Sequence, residues 1–188
     1  MRPSPEVHDA LACLLSYPGE GVGAHYAAAV RLVRGACPGS APALDGFLAG
    51  IGGLDEGELE ELYTRTFDNV AERSLEVGWQ LFGENYARGV LLVRIRALLR
   101  EHGVPERTEL PDHMKHVLPL LGRAPADLAR ALAKSHVQPA AEKMLAGLKS
   151  IDSPWVGVLE AVSAVLGMHA TEPLVREAAT EAAEETTR

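Results

Sequence analysis

Three side chains near the middle of the sequence have metal-binding types: Asp112, His113 and His116. His113 and His116 are three apart, so a helix could turn both toward one ion. A zinc site takes three or four ligands, and no HExxH pattern or paired His/Glu set supplies the rest. The plainer reading makes Asp112 a helix cap and His113 and His116 ordinary histidines. Nucleophilic chemistry has less to work with. Cys13 and Cys37 form no CxxC pair and read as small buried residues of a reducing cytosol. There is no GxSxG elbow, no phosphate-cradling GxxxxGK[ST] loop and no GxGxxG turn. Acyl transfer, phosphoryl transfer and dinucleotide chemistry therefore lack their equipment. We expect no catalytic residue, no bound metal and no cofactor of the chain's own, hence not an enzyme.

What remains suits binding. Glu84 and Arg88 lie four apart with the acid first, the favourable helical order. They prolong the side that carries Leu91, Ile95 and Leu98, either at the mouth of a groove or on an exposed helix end. Tyr63, Phe67, Trp79 and Phe82 account for four of the nine Phe, Trp and Tyr residues. Aromatics at such spacing usually build core. Concentrated near Gly78 and Gly83, they are also what a peptide groove needs.

The elements that hold these residues read as helices. Ser4-Pro5 starts the first, with Val7, Leu11, Leu14 and Leu15 on one face, and Tyr17-Pro18-Gly19 ends it. A second runs from about Gly23 to Arg34, and a third from Ala41 to Ala49. Asp55 to Asp68 follows the turn at Gly50 to Gly53, its acidic first turn favoured by the helix dipole. A short piece spans Leu75 to Leu81. Glu84 to His102 is apolar nearly all round, which predicts a central helix. Pro111 should open the next, with Asp112 at its N-terminus and Gly122 at its end. Asp127 to Leu148 gives one or two helices, with a break near Pro139. Trp155, Val158, Leu159, Val162, Val165, Leu166 and His169 stripe the last.

Ala and Leu dominate an apolar fraction of 47%, aromatics are 5%, and β-branched runs are scarce. We expect an all-α, single-domain bundle of about eight to ten helices over residues 1–170, followed by an acidic, flexible tail over 171–188. A net charge of −8 disfavours nucleic acid and anionic membranes and favours a basic partner. No signal peptide and no bilayer-spanning run is evident, so a cytoplasmic location is expected, without membrane insertion.

Several stretches, in order, carry a family resemblance. They are Leu62-Tyr63-Thr64-Arg65-Thr66-Phe67-Asp68, Ser74-Leu75, Leu81-Phe82-Gly83-Glu84, Arg88-Gly89, Leu92-Val93 and Leu110-Pro111-Asp112-His113. The chain resembles the NarJ-type chaperones, also called the nitrate reductase delta subunit family, within the wider TorD-like group. The matching boxes cover about Leu59 to Leu121. The segment Asn69 to Trp79 is closer to chaperones of periplasmic relatives such as selenate, chlorate, dimethylsulfide or ethylbenzene oxidoreductases.

The resemblance implies a chaperone that binds the apo catalytic subunit of a molybdopterin oxidoreductase. Contact would run through that subunit's N-terminal segment or twin-arginine signal peptide. The chaperone would keep it competent for insertion of the molybdenum cofactor before export or membrane attachment. Carried onto this sequence, the partner-binding positions are Tyr63, Phe67, Asp68, Trp79, Phe82, Glu84, Arg88, Asp112 and His113. A monomer or weak homodimer is expected. The alternatives are a general helical protein-binding adaptor and a small metal-binding enzyme built on Asp112, His113 and His116.

Overall fold

Alanine, leucine and well-spaced Pro/Gly punctuation give ten α-helices among the described residues of a computed structural model, which are 2–68 and 70–170. They are α1 (Pro5–Leu14), α2 (Val22–Ala36), α3 (Ala41–Ile51), α4 (Glu56–Phe67), α5 (Val77–Phe82), α6 (Tyr86–Glu101), α7 (Met114–Arg123), α8 (Ala126–Leu132), α9 (Gln138–Lys149) and α10 (Val156–Ala170). Among these residues the only β pairing is one antiparallel bridge between Glu76 and His113. The expected all-α architecture is what the chain adopts. The acidic tail lies outside the described residues.

The helix starts follow local chemistry. Pro5 occupies the first turn of α1, where its missing N–H costs nothing, although the Ser4 side chain at the N-cap makes no capping bond. In α4, Asp55 accepts from the Glu58 N–H while the Glu58 carboxylate accepts from the Asp55 N–H, a capping box. Near Pro139 the sequence indicated a break, and the structure shows how it is absorbed. A π-helical segment, Ala133–Val137, joins α8 to α9, and Pro139 enters in the first turn of α9. The wider turn accommodates a residue that cannot donate to the preceding turn.

α10 lies at the centre, packed on α3, α9, α1 and α8, with Trp155, Val158, Leu159, Val162 and Val165 fully buried. α3 and α10 touch backbone to side-chain position. A Cβ at Gly157 would overlap the Ala43 carbonyl, so only glycine allows this approach. Three side chains satisfy the carbonyls left open at the C-terminal end of α1. The Trp155 indole N–H donates to Leu14, the Tyr63 hydroxyl to Leu15 and the Tyr26 hydroxyl to Ser16.

The expectation that α6 is central is corrected. Only Leu91, Ile95 and Leu99, one line at four-residue spacing, are buried. Tyr86, Val90 and Val93 are 87%, 54% and 69% exposed. The run Val90-Leu91-Leu92-Val93 wraps apolar surface around more of the helix than its neighbours cover.

Candidate functional site

A second correction concerns Asp112. The sequence placed it at the start of its own helix, but α7 begins two residues later, with His113 as N-cap accepting from the Lys115 N–H. Asp112 is fully buried and caps α5 instead. Its Oδ2 accepts from the Gly78 N–H at 2.8 Å, and its carbonyl accepts from the Val77 N–H at 2.9 Å. Gly78 is required here, because a Cβ would stand 2.7 Å from that Oδ2. The Met114 N–H donates to the Leu75 carbonyl, so the two short segments 74–77 and 110–114, each a loop running into the first residue of a helix, are laced together.

Arg88 of α6 reaches into this junction. Its Nη2 donates to Glu76 at 2.7 Å, its Nε lies 4.0 Å from Asp112, and its guanidinium sits 5.1 Å above the Trp79 ring. The expected Glu84–Arg88 pair therefore does not form. Glu84 is exposed in the turn before α6, and Glu76 takes its place as the partner of Arg88. Burial raises the Asp112 carboxyl above its ordinary value, opposed by the Gly78 N–H and by Arg88. Burial also raises Glu76, opposed by Arg88. Asp112 Oδ1 and Arg88 Nε are buried with no hydrogen-bond partner.

Around this junction opens a cleft of about 560 Å³, walled by Phe67, Leu75, Trp79 and Leu110 and by Asp68, Glu76, Glu109, Arg88 and His113. Its three carboxylates outnumber its one guanidinium, and that guanidinium is already engaged. Burial holds His113 down at about 3, so it is neutral and adds no positive charge. The lining is thus aromatic and net acidic, able to accept cationic groups while covering apolar side chains.

Of the positions named from the sequence, Phe67, Asp68, Trp79, Arg88 and His113 line this cleft, and Asp112 supports it from beneath. Tyr63 does not reach it. It is core, stacked among Tyr17, Phe67 and Trp155. Phe82 faces a separate groove with Tyr86 and Val90. Glu76 and Glu109 were not foreseen. A signal was present for Glu76, one of the few acids beside the aromatic Gly78-Trp79 stretch.

Asp112, His113 and His116 do not converge. The His116 ring bonds the Leu110 carbonyl and the Arg107 N–H, and among the described residues no group of three or more His, Cys, Asp or Glu could hold a metal. Cys13 and Cys37 are half-buried and free. Among the described residues no helix is long and apolar enough to cross a membrane. A larger cavity of about 720 Å³ lies between α1 and α7. It contains none of the positions carried by the resemblance, and its Asp9 and Arg123 neutralise each other at 2.7 Å, so we place the candidate site in the smaller cleft.

A family model described as nitrate reductase delta subunit matches residues 34–161, more than half of the 188-residue chain. The matched span includes every wall of the cleft. No curated protein matches the chain at a significant level.

Proposed function

From the premise that the chain belongs to the nitrate reductase delta subunit family, we propose that it receives the N-terminal segment of an apo molybdoenzyme catalytic subunit in the acidic aromatic cleft. The family is one of molybdoenzyme assembly chaperones, whose members bind molybdoenzyme catalytic subunits. The general role follows from membership. The site, the segment bound and the timing relative to cofactor insertion are our reading.

One observation carries it: Asp68, Glu76 and Glu109 surround an apolar floor of Phe67, Leu75 and Trp79. A segment with paired arginines followed by apolar residues matches such a surface. Guanidinium groups pair with carboxylates in forked geometry, charge speeds encounter, and burial of the apolar part supplies most of the affinity. Holding that segment in the cytoplasm keeps the client open for the molybdenum cofactor and delays export or membrane attachment. The likeness of Asn69 to Trp79 to chaperones of periplasmic oxidoreductases supports a client of that kind. Release requires a moderate interface, so affinities between about micromolar and nanomolar are expected, roughly −8 to −12 kcal/mol.

Calorimetry with synthetic N-terminal peptides of candidate catalytic subunits tests the reading. We expect one-to-one binding, tightest at low salt and weakened in Glu109→Gln. Absence of binding to all such peptides overturns it.

A further inference from the structure

We propose that the uncovered face of α6 is the docking site of the chain's own C-terminal segment, residues 171–188. The surface is a stripe at helical spacing. Tyr86, Val90, Val93 and Ala97 follow one another at four, three and four residues, and all are exposed. Exposed apolar runs of this kind usually mark an interaction site. Beside the stripe, a groove lined by Phe82, Tyr86, Val90 and Leu91 continues between α6 and α8 past Ile95, Leu98, Leu128 and Leu132. Its lining has no carboxylate, and its charged side chain is Arg94, next to His136.

The segment has the complementary chemistry. Glu172, Glu177, Glu181, Glu184 and Glu185 stand against Arg176 and Arg188, a net charge of −3. Leu174, Val175, Ala178, Ala179, Ala182 and Ala183 recur in pairs every four residues, which gives any helix formed there one narrow apolar edge of small side chains. Small residues let two helices approach closely while each buries little area, so the contact is reversible.

Reach and route agree as well. The described part of α10 runs to Ala170, and the His169 carbonyl accepts from Arg130 of α8 at 3.1 Å. α8 is the helix whose Leu128, Ala131 and Leu132 form the far wall of the groove. Residues 171–188 span about 27 Å as a helix, and the 16 residues of α6 about 24 Å. A second copy of the chain is the poorer occupant, because a symmetric pairing of this face sets Arg94 against Arg94. The inference does not use the acidic cleft, so it stands or falls separately from the proposed function.

Hydrogen exchange on the full-length chain decides it. The double substitution Leu174→Ser, Val175→Ser lies outside the described fold and should leave exchange in α1 and α10 unchanged. It should speed exchange over residues 86–98 at least threefold, and Val93→Ser should do the same from the other side of the contact. Carbodiimide should also couple a glutamate of the segment to the exposed Lys134 within one chain, and the double substitution should abolish that product. Identical exchange over residues 86–98 in the parent and double variants overturns the proposal. So does protection that rises with protein concentration together with a dimer in sedimentation, which would make the face a contact between copies.

Discussion

Asp112 does two jobs with one carboxylate, capping α5 and facing Arg88, and it does so fully buried. Removing that carboxylate strands the buried Gly78 N–H without its acceptor and takes away one of the two negative charges beside Arg88, which costs more than the bonds themselves contribute. Asp112→Ala should therefore lower stability by about 3 kcal/mol in urea unfolding. Asp112→Asn keeps the shape and should cost less, about 1 kcal/mol. Glu76→Gln keeps the shape but removes the charge that Arg88 meets at 2.7 Å, so it should lower stability by about 1 kcal/mol in the same measurement. It should weaken a dibasic peptide about tenfold, the equivalent of about 1.4 kcal/mol. Glu84→Ala, at an exposed turn, should change neither quantity. The sequence made Asp112 legible as a cap but not the helix it caps, because that choice depends on the segment 74–77 folding back onto 110–114. Glu76 escaped notice for the same reason: its partner Arg88 is set by a tertiary contact, while sequence spacing offered Glu84.

Between elements, the N-terminus of α1 and the C-terminus of α10 meet through two buried histidines. His8 Nδ1 faces the Ser4 carbonyl at 2.9 Å and must carry the proton, so its Nε2 accepts from His169 Nε2–H at 2.9 Å. Burial, then His8, Arg2 and Arg130, lower His169 from an ordinary 6.5 to about 4. Burial likewise lowers His8, opposed by the bond to the Ser4 carbonyl and by Asp9 and assisted by Arg2 and Arg123. Between these limits the unfolded chain binds more protons than the folded one. The contribution is therefore full above about 6.5 and is lost as the pH falls toward about 4. Urea midpoints should drop over that window, and His169→Phe should flatten the drop. The α3–α10 contact gives a second check. Gly157→Leu forces the helices apart at Ala43 and should destabilise by about 3 kcal/mol in thermal unfolding. Helix order was legible from Pro/Gly punctuation and periodicity, down to the disturbance near Pro139. The position of α6 was not. A sequence shows that a helix is apolar on several sides, but not how many of those sides have a neighbour.

For the molecule as a whole, charge and shape act together. On the proposed function, a net charge of −8 would draw a cationic segment from a distance, and the cleft carboxylates would orient it on arrival. Association measured by stopped flow should slow about tenfold between about 0.01 M and 0.15 M salt, where the screening length shrinks from about 30 to about 8 Å. Dissociation should change far less. The two tryptophans, meanwhile, sit in opposite circumstances. Trp155 is sealed in the interior against Phe47, Tyr63 and Phe67, whereas Trp79 is partly open to solvent in the cleft beneath Arg88. The chain thus carries its own optical readout of two events. Trp79→Phe leaves a protein whose emission tracks unfolding and ignores ligand. Trp155→Phe should leave one whose emission colour shifts when a dibasic peptide fills the cleft, read by fluorescence titration.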